Sequence, residues 1–150
     1  MVQEGKRISD DDLKFFDNLE EAKADLGRVD LVFTSGAIQY CPDPLQLLEQ
    51  LTEVGAKYLF ITRTSFNTED ETIISTQESS LSDHGIGQLP EGFVDRRVLF
   101  PVTFVSKTQV ENILKRRYTI RFSLTENINS YSVKGKKFDM YGYFCDISVV

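Results

Sequence analysis

The chain has 150 residues, of which 41% are apolar and 27% charged, and both values are ordinary for a globular protein. Its net charge of −6 argues against broad contact with nucleic acid or an anionic membrane surface, so neither is expected as a partner. No apolar run approaches the roughly 20 residues of a membrane-spanning helix, and Cys41 and Cys145 lack metal-ligand spacing. We therefore expect one cytoplasmic domain over residues 1–150, with both thiols reduced and no metal site.

The first half of the chain alternates short apolar runs with amphipathic segments, which predicts strands and helices in turn. Asp17 or Asn18 is placed to cap the first helix, and Gly27 to end it. Such alternation implies a parallel sheet with right-handed crossovers. The predicted strands are residues 13–16, 31–33 and 57–63, and the predicted helices are residues 19–26 and a segment from 43 to about 55.

The connection after the second of these strands is the first place to look for function. Four small residues follow the apolar run, namely Thr34, Ser35, Gly36 and Ala37, and they let the main chain turn sharply and approach a ligand. Asp43 and Pro44 then start a helix. Ligands of doubly wound sheets bind at the carboxyl ends of such strands.

The second half of the chain is less regular. Residues 65–94 are polar and rich in glycine, which predicts a functional lid or a disordered segment. Residues 98–105 are apolar but contain Pro101, and are at best an edge strand. Ser106 opens a helix that runs to Arg116 or Arg117. Two further strands, residues 118–125 and 140–149, come next without a helix between them and should pair antiparallel.

This order of elements resembles the C-terminal portion of an S-adenosylmethionine-dependent methyltransferase of the Rossmann-like class, within a group of small-molecule methyltransferases. The residues that carry the resemblance are Phe15-Phe16-Asp17-Asn18-Leu19-Glu20-Glu21-Ala22, Ser35-Gly36-Ala37-Ile38-Gln39-Tyr40 and Asp43-Pro44. The resemblance implies an incomplete methyltransferase sheet, mostly parallel, with an antiparallel C-terminal strand pair.

The family's Gly-rich cofactor turn and its acidic ribose ligand have no counterpart in this sequence. Gly85-Ile86-Gly87 does not replace the turn, since no predicted strand leads into it and Pro90 interrupts the segment after it. We therefore expect the chain to be the C-terminal part of a methyltransferase catalytic domain, with both elements preceding Met1. Taken alone, it is expected to bind S-adenosylmethionine (SAM) weakly or not at all and to be inactive.

The resemblance also assigns residues to the SAM site. It implies that Asp17 accepts a hydrogen bond from the adenine amino group, although a helix cap explains this residue equally well. It places Thr34, Ser35 and Gly36 against the methionine part of SAM, and Ala37 and Tyr40 near the sulfonium. The alternative for this segment is a tight turn that needs small residues for steric reasons alone.

Three further residues are candidates for contact with the methyl acceptor. Arg63 and Thr64 stand at the exit of a strand, where a simple solvated position is the alternative. His84 is the single histidine and could act as a base near neutral pH, but it could equally be an exposed loop residue. No catalytic constellation is required for methyl transfer, since aligning the acceptor with an activated methyl group supplies much of the acceleration.

Two other function classes remain open. The first is a non-enzymatic interaction module, and the second is another Rossmann-like enzyme such as a nucleotide-dependent oxidoreductase, which the antiparallel strand pair disfavours. In the incomplete sheet the strand of residues 31–33 has a bare apolar edge. We expect the strand of residues 13–16 to move in beside it, or a second copy to cover it in a homodimer.

Overall fold

The computed structural model describes residues 2–84, 87–89, 91–133 and 136–148. Within these residues the helices are α1 (Val2–Gly5), α2 (Leu19–Leu26), α3 (Pro44–Glu53) and α4 (Lys107–Lys115), and the strands are β1 (Leu31–Ser35), β2 (Tyr58–Asn67), β3 (Ile73–Ser80), β4 (Arg97–Ser106), β5 (Tyr118–Val133) and β6 (Lys136–Ile147). Short 3-10 helices lie at Lys6–Ile8, Ile38–Tyr40 and Leu81–His84.

Each of the three longer helices begins at a side chain that satisfies a free main-chain N–H group of its first turn. Asn18 Oδ1 accepts from the Glu21 N–H at 2.9 Å, and the Asp43 carboxylate accepts from the Gln46 N–H at 2.9 Å. Ser106 Oγ accepts from the Gln109 N–H at 3.3 Å. The helix starts predicted at Asn18, Asp43 and Ser106 are therefore confirmed.

Strand β2 is the centre of the sheet. Its first half pairs in parallel with β1, with Leu31 opposite Tyr58, and antiparallel with β6 on the other side. Near its end, β2 pairs in parallel with β4 through Phe66 and Asn67. The strand order is β3-β4-β2-β6-β5, with β1 beside β2.

The predicted α/β class and the antiparallel C-terminal pair are confirmed, but the prediction of a mostly parallel sheet is wrong. Among the described pairings only β1–β2 and β2–β4 are parallel, whereas β2–β6, β3–β4 and β5–β6 are antiparallel. Part of the difference comes from residues 65–94, which were expected to be a lid or a disordered segment. Instead β2 extends to Asn67 and β3 forms a hairpin with β4, and strands joined by a hairpin run antiparallel.

The segment of residues 13–16 is not a strand, so its predicted move beside β1 is wrong. The Asp10 carboxylate accepts main-chain N–H groups from Asp12 and Leu13, at 2.9 and 2.7 Å. This local turn competes with an extended conformation, and Leu13 remains 46% exposed. A strand needs a neighbouring strand to accept and donate its main-chain hydrogen bonds, and residues 13–16 have no such neighbour among the described strands.

One face of the sheet is covered by helices and the other is open in the described residues. Leu59 and Ile61 of β2 are fully buried against a cluster that includes Leu48 of α3 and Leu114 of α4. On the opposite face four rings form a row across the strands, with centroid distances of 5.6 Å (Phe33–Phe60), 5.8 Å (Phe60–Phe144) and 5.2 Å (Phe144–Phe122). In the part of the chain that is described, no helix is both long and apolar enough to span a membrane.

Candidate functional site

The candidate site lies where β1 and β2 end. After Ser35 the main chain turns at Gly36, whose φ is +60°, and the Gly36 N–H donates to the Thr62 carbonyl of β2 at 3.0 Å. A side chain is strained at such a φ, so glycine is the residue that this turn favours. Ser35 and Ala37 are exposed, so the turn presents main chain and two small side chains to solvent.

Arg63 adjoins this turn in an unusual backbone conformation. Among the described residues it is the one non-glycine residue with a positive φ, at +54°. Its main-chain N–H donates to Glu126 Oε1 at 2.9 Å, and its carbonyl accepts from Gln39 Nε2 at 3.1 Å. Both main-chain groups of Arg63 are therefore fixed by side chains from elsewhere in the chain.

Gln39 is the most constrained polar side chain of the site. It is 2% exposed, and within the described atoms its Oε1 has no hydrogen-bond partner. A buried acceptor without a partner carries a desolvation cost, and such groups are rare. Gln39 therefore holds Arg63 with one end of its amide and leaves the other end free.

A bulge in β2 accounts for the position of Arg63. The β2–β6 register shifts between Ile61, opposite Tyr143, and Thr64, opposite Tyr141, which leaves Thr62 and Arg63 unpaired there. Gly142 of β6 lies against this bulge, because a Cβ at residue 142 would stand 2.7 Å from the Ile61 carbonyl oxygen. Bulges of this kind commonly redirect a side chain beside a functional site.

The β3–β4 hairpin forms a further wall beside the turn. The Tyr40 hydroxyl donates to Gln77 Oε1 of β3 at 3.1 Å. The Tyr40 ring contacts Phe100 of β4 edge to face, with 5.5 Å between centroids. Gln77 belongs to the residues expected to be a lid or a disordered segment, and Phe100 to those expected to be at best an edge strand. Both make fixed contacts with the turn.

The structure brings together most of the residues selected from sequence. Thr34, Ser35, Gly36, Ala37 and Tyr40 form the turn, and Arg63 and Thr64 lie beside it. The buried Thr64 hydroxyl donates to the Thr62 carbonyl at 3.2 Å, which makes it part of the bulge and unavailable at the surface.

Asp17 and His84 lie apart from this group. The Asp17 carboxylate pairs with Lys6 Nζ at 2.7 Å, and none of its described hydrogen bonds reaches the turn. Asn18 caps α2, so a capping role for Asp17 is wrong. His84 ends the 3-10 helix Leu81–His84 that comes after β3, and its side chain lies outside the described part of the structure.

Sequence reasoning missed three residues of the site, Gln77, Glu126 and Gly142, and gave Gln39 no role. Gln39 could have been found from sequence, because its amide side chain comes two positions after the last small residue of the turn, Ala37. Nothing local marks Glu126, which reaches Arg63 across 63 positions of sequence. Within the described residues no group of three or more His, Cys, Asp or Glu side chains is placed to hold a metal ion.

Two grooves lie away from this site, in the helical layer. One, of about 540 Å³, runs between α3 and α4 and is lined by Glu49 and Arg116, which form an ion pair at 2.8 Å. The other, of about 460 Å³, separates α2 from α3. Neither groove is lined by residues of the turn at Gly36.

Comparison with known proteins gives matches to solved structures alone. No family model matches the chain, and no curated protein sequence matches it. A SAM-dependent methyltransferase from Methanosarcina mazei is similar with a TM-score of 0.44 and 13% identity, over 78% of this chain and 58% of that one. Another, from Clostridium acetobutylicum ATCC 824, has a TM-score of 0.43 and 11% identity, over 87% of this chain and 70% of that one.

Proposed function

We propose that this chain is part of the catalytic domain of a SAM-dependent methyltransferase that acts on a small molecule in the cytoplasm. The observation that carries the proposal is the open turn at Gly36, which joins β1 to the 3-10 helix of residues 38–40 at the carboxyl ends of parallel strands. Residues 35–40 of this turn are among those on which the sequence resembles the family.

The turn fits one part of SAM. An ideal Cβ on Gly36 would be in ordinary van der Waals contact with Arg63, 3.7 Å from its carbonyl oxygen and 3.8 Å from its Cβ, so the absence of a side chain at Gly36 leaves room beside Arg63. The small side chains of Ser35 and Ala37 allow a ligand to approach the main chain. SAM would supply an activated methyl group on a sulfonium; the turn would hold its methionine portion, and Tyr40, fixed by the β3–β4 hairpin, would lie beside it.

A titration with SAM followed by NMR tests this proposal. We expect amide shifts confined to residues 34–40 and 62–64, with a Kd of about 1 mM or weaker, since the chain offers contacts to a portion of the cofactor. Gly36→Leu should abolish the shifts by filling the turn.

Gly27→Leu is the matched control, because Gly27 also has a positive φ, of +65°, with no atom within 4 Å of its ideal Cβ. Both variants place leucine at a positive φ, and only the substitution at 36 should affect the titration. Shifts that lie away from residues 34–40 and 62–64, or equal loss in both variants, contradict the proposal. A micromolar Kd for SAM would contradict the expectation that this chain contacts only a portion of the cofactor.

A second candidate function, a non-enzymatic interaction module, is favoured by a separate observation. The ring row on the open face ends at β1, where Leu31 is 49% and Phe33 58% exposed, and β1 pairs with β2 alone among the described strands. We propose a second copy of this chain as the partner of this edge. Leu31–Ser35 holds no charge and no proline, so two copies can pair antiparallel there without repulsion.

A further inference from the structure

The backbone of Arg63 is held in a conformation that arginine disfavours. Its φ of +54° lies in the left-handed region, where Cβ is crowded by the following carbonyl. Conformations of this kind persist when the surrounding structure fixes them, and they concentrate where ligands bind. An observed outlier of this type is a reason to ask what its side chain does.

Two separate segments fix Arg63 from opposite sides. Gln39, which lies 24 positions earlier, donates to the Arg63 carbonyl at 3.1 Å. Glu126, which lies 63 positions later, accepts from the Arg63 N–H at 2.9 Å. Gln39 is almost fully buried, and in this arrangement its Oε1 has no hydrogen-bond partner within the described atoms. The sequence thus uses two polar side chains to hold one strained residue.

The guanidinium of Arg63 is free to bind a ligand. Arg63 is exposed, and within the described residues it takes part in none of the ion pairs. Its Cβ is one of two atoms within 4 Å of an ideal Cβ on Gly36, so the side chain leaves the backbone beside the open turn. An exposed positive side chain therefore lies beside the turn of the candidate site.

We propose that Arg63 recognises a carboxylate on the small molecule that this site takes. The planar guanidinium offers two parallel N–H donors that match a carboxylate. The statement that Arg63 binds the methyl acceptor rests on the proposed function. The statement that Arg63 binds a carboxylate is inferred from the geometry of Arg63 alone.

Glu126 acts on any anion bound at Arg63, because its carboxylate contacts the Arg63 main chain and its negative charge opposes that of a bound anion. A phosphate dianion is repelled by Glu126 about twice as strongly as a carboxylate monoanion at the same distance, but the guanidinium attracts it about twice as strongly as well. Charge therefore does not separate the two anions. The preference for a carboxylate rests on its planar pair of oxygens, which match two parallel N–H donors of the guanidinium.

The test is an NMR titration with sodium benzoate at pH 8 and constant ionic strength, without SAM, compared with sodium phosphate. We expect benzoate to shift the amides of residues 36 and 63 and to bind more tightly than phosphate. Arg63→Gln should abolish the shifts. Arg63→Lys should weaken binding about tenfold, since it keeps the charge but loses the paired donors.

Three further variants separate recognition from folding. Arg63→Gly relieves the left-handed strain and keeps both main-chain hydrogen bonds, so a folded chain without benzoate shifts is expected. Gln39→Leu should weaken benzoate binding with Arg63 intact, which tests its positioning role. Arg117→Gln removes an exposed arginine just before β5 and should change nothing.

Benzoate shifts that persist in Arg63→Gln, shifts elsewhere than residues 36 and 63, or phosphate binding as tight as benzoate binding would overturn the proposal. Loss of benzoate shifts in Arg117→Gln would do so as well. The SAM titration is a separate measurement. Benzoate binding that depends on Arg63, in a chain whose SAM shifts lie away from residues 34–40 and 62–64, leaves the carboxylate site standing and removes the methyltransferase function.

Discussion

Cys145 and Cys41 are both free thiols, but their surroundings differ. Cys145 is fully buried in the main core, and burial raises the pKa of its thiol to about 12, with the nearby Asp146 charge adding to the effect. Thiolate is the reactive form of cysteine, so a buried thiol with a raised pKa is inert. Cys41 is partly exposed beside the candidate site.

We predict that a disulfide reagent at pH 8 modifies Cys41 in the native chain and modifies Cys145 after unfolding. The raised pKa of Cys145 also has a consequence for stability. Below pH 9 the thiol is protonated in both states, whereas between pH 9 and about 12 the unfolded chain alone loses the proton. The free energy of unfolding should therefore fall as pH rises through this window.

Thiol counts in buffer and in denaturant, with urea unfolding at pH 8 and 10, provide the measurement. Cys41→Ser is the control and should leave no reactive thiol in the native chain. In Cys145→Ala the decline in stability between these pH values should be smaller. Equal labelling rates for the two thiols in the native state would contradict this account.

Helices and strands differ in how well local sequence predicted them. The starts of α2, α3 and α4 result from Asn18, Asp43 and Ser106, because a cap acts within three residues. Strands β3 and β4 depend on pairing between distant residues, such as Ile73 with Phe104, and composition does not encode that pairing.

The same distinction applies to the candidate site. The turn at Gly36 was predictable, because small residues after an apolar run are a local signal. The conformation of Arg63 was not, because it results from Gln39, Glu126 and a bulge that forms when β6 pairs with β2. Sequence therefore located the strand-end surface, and tertiary pairing determined which side chains complete it.

The contact of β6 with the bulge in β2 gives a prediction for one strand pair. In Gly142→Ala the new Cβ would stand 2.7 Å from the Ile61 carbonyl oxygen, so one strand must move. We expect the free energy of unfolding to fall by about 1–3 kcal/mol, as for other overpacked sites. Urea denaturation measures the change.

Ser123→Ala is the matched control on the neighbouring strand β5, where the side chain is exposed. It should change stability by less than about 0.5 kcal/mol. The variant Gly142→Ala should also lose benzoate binding if the bulge that carries Arg63 is displaced. Unchanged stability in Gly142→Ala would show that the two strands separate at no cost.

At the scale of the molecule, the sheet has one face buried by helices and one aromatic face open in the described residues. The row of rings crosses four strands, about 14 Å at the usual strand spacing. A single row of four rings offers a small contact surface, whereas stable interfaces bury about 800 Å² on each partner. A dimer through β1 should therefore be weak and depend on concentration.

Light scattering over a range of protein concentrations tests for this dimer. We expect a monomer–dimer equilibrium in the micromolar range, and Phe33→Lys should shift it to monomer because a charge at a strand edge blocks pairing. Leu99→Lys is the control, since Leu99 is 70% exposed on β4. A monomer at every concentration, or equal loss of dimer in both variants, would contradict the proposal.

The amide of Gln39 has a consequence for finding other proteins with the same site. Leucine at this position could not hold the Arg63 carbonyl, and glutamate would bring a buried negative charge to an acceptor. A chain that builds this site the same way should therefore combine glycine at the turn, an amide three positions on, an arginine 24 positions beyond it and a carboxylate a further 63 positions away. These spaced residues form a search pattern that overall sequence identity does not capture.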